Sequence, residues 1–244
     1  MRITRIFIDT ALNCGEPVVL SQQASRHAGT VMRLRPGDAL EVFNGSGGSF
    51  RAVVAGRDRG GLIIEPREFL EDERESPLAL QLVQGISRGQ HMDYTLQKSV
   101  ELGVAGIVPV MTEFGNVRLH PEKVQTRMAH WRGVIISACE QCGRNRLPDL
   151  KPPLPLAEWL SQDRADTRCL LEPAHDAVGF GDIGDRPRRL SLLVGPEGGL
   201  SRDETDAARQ AGYRSIHLGP RVLRTETAAV AAVAVCQTLW GDLS

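Results

Sequence analysis

The stretch LSLLVGPEGGLSRDE, residues 190–204, decides the fold of this chain. Its apolar half ends in the glycine-rich run 195–199, and Ser201 with Glu204 then forms the Ser-x-x-Glu capping box that starts a helix. A buried strand therefore leads through a glycine-rich loop into a helix, and ligands bind at such strand ends in open α/β sheets. The loop has neither the P-loop pattern nor the dinucleotide-binding fingerprint. Alone, it indicates a small-molecule site and a tight structural turn about equally.

A second stretch of the same kind, HLGPRVLRTETAAVAAVAVCQTLWGD, covers residues 217–242. A strand again ends in Gly-Pro, a polar loop with Arg221 and Arg224 follows, and a helix of small residues is expected from about Glu226 to Trp240. Alanine and valine on nearly all of its faces predict a buried helix, and burying charges at its start is costly unless they are paired or bind something. A structural arginine–glutamate pair is one interpretation, but two Gly-Pro loops at strand ends favour a shared pocket.

Around these two loops, strand patterns alternate with helix patterns. Helices are expected around Met92 to Leu102 and from Pro121 to about Cys142, because proline favours the first helical position. Strands are expected in LALQLVQ (78–84), GIVPV (106–110), CLLEP (169–173), LSLLVG (190–195) and SIHLG (215–219). This alternation is typical of an α/β domain with a largely parallel sheet.

The first 70 residues follow a different pattern. The short apolar runs RIFID, ALEVFN, FRAVVAG and GLIIEP, separated by turns rich in glycine, aspartate and asparagine, predict a small antiparallel barrel. The segment SQQASRHAGTVMRL between them predicts a short helix. The acidic run EFLEDERESP (68–77) has no apolar periodicity and predicts a linker. We therefore expect domains at residues 1–70 and 77–244, joined by residues 71–76.

Composition excludes several classes of protein. With 41% hydrophobic and 24% charged residues, the 244-residue chain is not expected to be disordered, and it is long enough for a core without disulfides. Its apolar stretch 228–236 is far shorter than the roughly 20 residues that span a bilayer, and MRITRIFIDT does not have the apolar centre of a secretory leader. Five scattered cysteines favour a reducing compartment, so we expect a cytoplasmic protein.

The only cysteine pattern with metal-ligand spacing is the pair Cys139 and Cys142. A zinc ribbon needs a second such pair, and the sequence has none. We therefore expect no metal site and interpret the pair as two small residues on one helical turn.

The net charge of −1 hides a bias toward arginine. Only Lys98, Lys123 and Lys151 among the 29 basic residues are lysines, and the planar fork of arginine matches phosphate. A GC-rich genome explains the same bias on composition alone. Position is more informative, because residues 1–67 carry nine arginines against six acidic residues. This segment is mildly basic, which indicates a weak electrostatic footprint for nucleic acid.

Taken together, these segments resemble the small-subunit ribosomal RNA uracil-N3 methyltransferase family of the SPOUT superfamily. The strings that carry the resemblance are LVGPEGGLSRDE (193–204), LGPRVLRTETAAVAA (218–232), EQCGRNRLP (140–148) and QKSVELGVAGIVPV (97–110). HAGTVMRLRPGD (27–38) and FNGSGG (43–48) resemble the PUA-like barrel of the same family. The resemblance covers nearly the whole chain in order, and the combination of GPEGG with LGPRVLRTETA is highly specific.

The resemblance implies a PUA-like RNA-binding barrel followed by a trefoil-knotted α/β domain with helices on both faces of a parallel sheet. It also implies a homodimer with the active site near the dimer interface, and S-adenosylmethionine as methyl donor. The cofactor is expected in a pocket made by the knot loops, which in this sequence are Leu171, Glu172, Val194, Gly195, Pro196, Glu197, Gly198, Gly199, Leu218, Gly219, Pro220, Val222, Leu223, Thr225 and Ala228. An apolar pocket with a few polar anchors suits adenine.

Methylation of uridine at N3 makes its own chemical demands, because N3 is a poor nucleophile until its proton leaves. Holding the reactants in line supplies roughly 7–11 kcal/mol, and a cation near the uracil oxygens stabilises the developing anion. Arg221 and Arg224 are the candidates for that cation. Glu197 or Glu226 is the candidate that takes the proton, directly or through water, and the sequence does not rank the two.

The expected partner is small-subunit (16S) ribosomal RNA, within the small ribosomal subunit. The candidate RNA-binding residues are Arg2, Arg5, Arg26, Arg33 and Arg35 in the barrel, and Arg88, Lys98, Gln141, Arg144 and Arg146 in the methyltransferase domain. The chain departs from the family pattern at Arg88, where lysine is common, and at residues 113–116, where a basic run is usual.

Two alternatives to this function stay open at this point. One is a SPOUT methyltransferase that acts on a ribose hydroxyl or on transfer RNA. The other is a ribosome-assembly factor that binds RNA without catalysis. The two intact glycine-rich loops argue against the second alternative, since a protein that only binds RNA needs neither.

Overall fold

The computed structural model describes residues 3–115, 121–172, 177–184 and 186–243, without the side chains of Gln23 and Pro121. The chain divides into two compact units. The first comprises Met1–Glu75 together with Cys139–Leu147, and the second comprises Ser76–Ala138 together with Pro148–Ser244. The sequence had not suggested that a segment far along the chain returns to the first unit.

The first unit contains one five-stranded sheet, in the order β1-β3-β4-β5-β2. Its strands are β1 (Arg5–Phe7), β2 (Val18–Val19), β3 (Ala39–Phe43), β4 (Ser49–Arg57) and β5 (Leu62–Leu70). Strand β1 pairs with β3 in parallel, whereas the other pairs are antiparallel. The expectation of an all-antiparallel barrel was therefore wrong in this detail. The parallel pair joins strands that are far apart in sequence, and such a pairing has no local turn signal.

The helix expected in this unit is shorter than its apolar pattern suggests. Helix α1 covers only Gln22–Arg26, and a wide π-type turn at His27–Val31 follows it. Gly29, Thr30 and Val31 are poor helix formers, so the sequence does not support a longer α-helix there. Of the apolar side chains of this region, Ala24, the fully buried Ala28 and Leu34 pack into the core of the unit, whereas Val31 and Met32 are exposed.

The returning segment Cys139–Leu147 is fastened to the sheet by charged and polar contacts. Arg5 forms an ion pair with Glu41 and donates hydrogen bonds to the Arg144 carbonyl (3.1 Å) and to Asn145 Oδ1 (2.6 Å). Glu140 accepts the backbone N–H of Phe7 at 3.0 Å, and burial raises the pKa of its carboxyl group. These contacts explain why a segment with little apolar character folds with the first unit.

The second unit is built on a parallel sheet, as the sequence predicted. Its strands follow the order β12-β10-β11-β6-β7-β8, with β9 also paired to β7, and every pair is parallel. The strands are β6 (Ala79–Gly85), β7 (Gly106–Met111), β8 (Asp149–Leu150), β9 (Leu154–Pro155), β10 (Thr167–Leu171), β11 (Arg189–Val194) and β12 (Arg214–Ile216). The fold class is α/β, which confirms the prediction.

The α-helices described in this unit are α2 (Gly89–Glu101), α3 (Pro121–Cys142, whose last turn belongs to the first unit), α4 (Leu156–Gln162), α5 (Arg202–Gln210) and α6 (Thr225–Trp240), and a short 3-10 helix covers Phe180–Asp182. Helix α5 begins with the predicted capping box, in which Ser201 Oγ accepts the Glu204 N–H (3.3 Å) and Glu204 Oε2 accepts the Ser201 N–H (2.9 Å). The sequence missed α4, β8 and β9, because each is short and lies in a proline-rich stretch.

The trefoil knot implied by the resemblance stays a prediction. Within the described ranges, no helix combines the length and the apolar character needed to cross a bilayer.

A buried polar network stabilises the second unit. The Trp159 indole N–H donates to the Tyr213 hydroxyl oxygen (3.0 Å), and that hydroxyl donates to Asp163 Oδ2 (2.6 Å). All three residues are buried, and burial raises the pKa of the Tyr213 hydroxyl group. The phenol therefore stays protonated and acts as donor and acceptor at once.

We expect Tyr213→Phe to lower the free energy of unfolding by about 1–3 kcal/mol, because it leaves a buried N–H and a buried carboxylate short of a partner. Urea unfolding followed by tryptophan fluorescence measures this, since Trp131, Trp159 and Trp240 all lie in the second unit. The matched control is Tyr94→Phe, because Tyr94 is the other tyrosine of the chain and is exposed. Equal unfolding midpoints for the two variants would contradict the role of the network.

Candidate functional site

Three loops meet at the carboxyl ends of β10, β11 and β12 and, with the start of α6, enclose one cavity. Its volume is about 710 Å³, which lies within the roughly 300–1,000 Å³ of small-molecule sites. The loops contribute Glu172, directly after β10, and the segments that follow Val194 and Ile216. This is the edge of the sheet at which the sequence predicted a shared pocket.

The cavity brings together most of the residues singled out from the sequence. Lining it are Leu171, Glu172, Val194, Gly195, Pro196, Glu197, Gly198, Gly199, Leu218, Gly219, Arg221, Val222, Leu223, Arg224, Thr225, Glu226 and Ala228. Pro220 alone of the expected cofactor residues does not line it. The sequence did not suggest five further lining residues, which are His91, Leu170, Leu200, Thr205 and His217.

A buried hydroxyl joins the two glycine-rich loops. Thr225, the first residue of α6, donates its Oγ1 hydrogen to the Gly195 carbonyl at 2.6 Å. The side-chain amide of Gln84 donates to Thr225 Oγ1 (3.0 Å) and to the Gly85 carbonyl (3.0 Å). Gln84 is fully buried at the end of β6, and a glutamine inside the apolar run LALQLVQ was the available sequence signal for it.

Two glycines permit close approaches of backbone that shape the cavity. A Cβ atom at Gly85 would lie 2.5 Å from the backbone nitrogen of Pro196, and one at Gly198 would lie 2.8 Å from the Phe114 carbonyl oxygen. Gly198 therefore allows the GPEGG loop to approach the backbone of the segment after β7 closely. Gly199 has a φ of +72°, a conformation that L-residues with a Cβ rarely adopt.

Acidic side chains hold the GPEGG loop in place. Glu197 Oε1 accepts the backbone N–H of Arg88 at 2.9 Å, just before α2. Glu204 Oε1 accepts the backbone N–H of Glu113 at 2.8 Å, just after β7. The GPEGG loop and the first turn of α5 are thus each tied to a neighbouring segment of the same unit.

The charged residues of the cavity differ in how they are paired. Glu226 Oε1 lies 3.0 Å from His91 Nδ1, and Glu172 accepts from Arg209 (2.8 Å) and from Ser215. Arg221 and Arg224, by contrast, are exposed. The expectation that these arginines are buried was wrong, since the loop before α6 leaves them at the surface. Within the described residues, Arg224 forms no ion pair with Glu226, which is paired with His91 instead.

The candidate RNA-binding residues fall into two groups. Exposed side chains are those of Arg26, Arg33, Arg35, Arg88, Gln141 and Arg146, while Lys98 is partly exposed and pairs with Glu101 (2.8 Å). The side chains of Arg5 and Arg144 are largely withdrawn from solvent. Arg5 forms an ion pair with Glu41, and Arg144 donates to Glu75 at 3.1 Å. Their assignment as RNA contacts stays a prediction, and the enclosure of both side chains argues against it. Arg2 and Asn116 lie outside the described residues.

The two cysteines with metal-ligand spacing lie in the last turn of α3. Burial raises the pKa of the Cys139 thiol to about 12. The expectation that the chain has no metal site stays a prediction. Among the residues that the structure describes, no group of three or more His, Cys, Asp or Glu side chains is arranged to hold a metal ion.

Comparison with known families gives two matches along this chain. A model described as an RNA methyltransferase domain matches residues 74–237. A model described as an RNA methyltransferase PUA domain matches residues 20–67. The first match alone covers well over half of the chain.

Similar proteins extend over the full length. Ribosomal RNA small subunit methyltransferase E of Buchnera aphidicola subsp. Schizaphis graminum is 34% identical over 100% of this chain and 99% of its own. The crystal structure of ribosomal RNA small subunit methyltransferase E from Neisseria gonorrhoeae, bound to S-adenosylmethionine, shares 37% identity with a TM-score of 0.92, covering 100% of both chains. A Legionella pneumophila structure described as a methyltransferase with bound cofactor SAM shares 39% identity with a TM-score of 0.96, again over 100% of both chains.

The network around Thr225 gives a prediction for the site. Thr225→Val keeps the shape of the side chain but removes the hydroxyl that satisfies the buried Gly195 carbonyl, a loss of about 1–3 kcal/mol. We expect amide hydrogen exchange in residues 195–200 to become roughly 5- to 100-fold faster, while exchange in β6 and β11 is unchanged. Thr227→Val is the matched control, since Thr227 is exposed on the same turn of α6. Equal exchange in the two variants would show that the hydroxyl does not hold the loop.

Proposed function

The chain belongs to the family of ribosomal RNA small subunit methyltransferase E, and from this we propose that it methylates N3 of a uridine in small-subunit (16S) ribosomal RNA, with S-adenosylmethionine as methyl donor. One observation carries the proposal. The loops that the family pattern marks as cofactor loops converge on a single cavity, and two arginines without an ion-pair partner among the described residues, Arg221 and Arg224, line it.

The cavity fits S-adenosylmethionine in size and in chemistry. Leu171, Leu218 and Leu223 offer aliphatic surface for an adenine ring, and the backbone of the glycine-rich loops offers hydrogen-bonding groups. Glu172 presents a carboxylate held by Arg209 and Ser215, which suits the hydroxyl groups of a ribose. When bound, S-adenosylmethionine supplies an electrophilic methyl group. The rest of the chemistry falls to the side chains that surround the uracil.

Two exposed guanidinium groups suit the charge that develops on the uracil. Removal of the N3 proton leaves negative charge on the ring and its two carbonyl oxygens. Arg221 and Arg224 carry permanent positive charge, and neither forms an ion pair with a carboxylate of the described residues. In a site closed by RNA, a planar fork of donors stabilises that anion more than it does in open water.

We assign RNA binding mainly to the first unit and methyl transfer to the second. Arg26, Arg33 and Arg35 are exposed in the first unit and lie within ten residues of one another, where phosphate contacts would fix the register of the RNA. Arg88 and Arg146 are further exposed cations for this role. Because Arg5 and Arg144 are enclosed, the proposed RNA-binding surface consists mainly of the exposed candidate side chains.

We also propose that the chain works as a homodimer in the cytoplasm, as its family resemblance implies. Val222 is 87% exposed on the loop that lines the cavity, and exposed apolar side chains such as Tyr94 on α2 and Leu239 on α6 belong to the same unit. A second subunit near the active site would cover such side chains. Analytical ultracentrifugation tests this assembly.

A mass-spectrometric nucleoside profile tests the proposed reaction. Small-subunit ribosomal RNA from a strain that lacks this protein should lose one N3-methyluridine, and expression of the wild-type chain should restore it. Loss of a ribose-methylated nucleoside, or a change confined to transfer RNA, would replace the proposed substrate. An unchanged profile would reject the enzymatic function.

Substitution of the two arginines tests the source of the positive charge. Because lysine is a point charge without a planar fork, we expect Arg221→Lys or Arg224→Lys to lower the single-turnover rate by about 10²–10³-fold while RNA affinity changes much less. Rates are measured with saturating RNA and S-adenosylmethionine. The matched control is Arg202→Lys, an exposed arginine at the start of α5 that does not line the cavity. Wild-type rates in both cavity variants would show that neither arginine stabilises the anion.

A further inference from the structure

A histidine and a glutamate from two neighbouring helices form a pair in the wall of the cavity. His91 lies in the first turn of α2 and Glu226 in the first turn of α6, and His91 Nδ1 is 3.0 Å from Glu226 Oε1. Both residues line the cavity. The Glu226 side chain is only 13% exposed, whereas that of His91 is 43% exposed. The carboxylate is therefore shielded from solvent, and the imidazole is the more accessible member of the pair.

Both members of the pair are held by the fold. The His91 backbone carbonyl accepts a hydrogen bond from Thr95 Oγ1 (3.0 Å), and its N–H donates to the Arg88 carbonyl (3.1 Å). Glu226 follows directly on Thr225, whose hydroxyl is fixed between Gln84 and Gly195. A site built on helix starts that are anchored in this way keeps its geometry better than one carried by a free loop.

We propose that His91 is the general base that takes the N3 proton of the target uridine, and that Glu226 positions it. This inference rests on the proposed function. With Nδ1 protonated and donating to Glu226, the other ring nitrogen, Nε2, carries a lone pair. The carboxylate fixes this tautomer and stabilises the imidazolium that forms, which is the role of the acidic member in histidine–carboxylate pairs of other enzymes.

The proton transfer is balanced within the site. The N3–H bond of uridine breaks, its electron pair stays on the uracil ring, and a new N–H bond forms at His91 Nε2. The products are a uracil anion and an imidazolium. Arg221 and Arg224, which line the same cavity, supply positive charge for the anion, and Glu226 balances the charge of the imidazolium.

Among the described residues that line the cavity, each other candidate proton acceptor already accepts a hydrogen bond. Glu197 accepts the Arg88 N–H, and Glu172 accepts from Arg209 and Ser215. His217 Nδ1 accepts the Gly219 N–H at 3.1 Å, so in its neutral form His217 carries its proton on Nε2 and presents a donor. The sequence left open whether Glu197 or Glu226 accepts the N3 proton. We assign that role to a third residue, His91.

The tautomer of His91 can be tested without any reaction. In the cofactor-free, full-length protein, nitrogen-15 NMR should find neutral His91 protonated on Nδ1, although free imidazole side chains favour protonation on Nε2. Glu226→Gln should reduce the population of the Nδ1–H form. Protonation of neutral wild-type His91 on Nε2 would overturn the proposal, because that nitrogen could not then accept the uridine proton.

Kinetics supply the second test. His91→Gln keeps a side-chain donor toward Glu226 but cannot accept the proton, and a general base contributes about 10²–10⁴-fold. We expect a single-turnover rate lower by that factor at neutral pH, with wild-type S-adenosylmethionine affinity by calorimetry. The deficit should shrink as the pH rises, because solvent then removes the proton. In His91→Ala, added imidazole should restore part of the rate.

The matched control is His130→Gln. Like His91, His130 pairs with a carboxylate: its Nε2 lies 2.9 Å from Asp93 on α2. Unlike His91, it does not line the cavity. A rate within threefold of wild type for His91→Gln across the pH range would overturn the role of His91 while leaving the proposed function intact. A wild-type protein that forms no N3-methyluridine in ribosomal RNA would instead overturn the proposed function, and the general base with it.

Discussion

The hydrogen bond from the Thr225 hydroxyl to the Gly195 carbonyl is the constraint on which the site depends. It joins the first residue of α6 to the first residue of the GPEGG loop, two points 30 positions apart in the chain. The buried amide of Gln84 supports that hydroxyl from β6, so three parts of the second unit meet at one oxygen atom. Because Thr225 and Gln84 are buried and Gly195 is partly buried, a missing partner would leave a polar atom unsatisfied away from water, which is costly. The loop backbone is fixed before any ligand arrives.

Local patterns predicted much of the fold, and long-range contacts account for what they missed. Proline at the start of α3, the capping box of α5 and the small residues of α6 mark these helices correctly, because each signal acts within one or two turns. The partners of Gln84 and His91 lie more than 100 residues away, at Thr225 and Glu226, so no local pattern reveals them. The parallel pairing of β1 with β3 was missed for the same reason.

Arginine performs two opposite tasks in this chain, and its position decides which. Arg5 and Arg144 are enclosed by acidic and amide groups and hold the first unit together. Arg221 and Arg224 stand at the surface without such neighbours among the described residues, so their charge is available to a ligand. The sequence alone suggests that the second pair is buried, because it directly precedes the apolar helix α6. Burial of a helix does not extend to the loop before it, where long side chains turn back to water.

The return of Cys139–Leu147 to the first unit has a consequence for how the protein is made. During synthesis, Arg5 and Phe7 emerge early, but Asn145 and Glu140, which they bind, emerge much later. At roughly 5–20 residues per second, the 72 residues between positions 75 and 147 take about 4–14 s to translate. During this interval the amino-terminal sheet lacks its contacts with Cys139–Leu147, because that segment has not yet been synthesised. For the same reason, a gene fragment that ends at the apparent domain boundary encodes a first unit without its last piece.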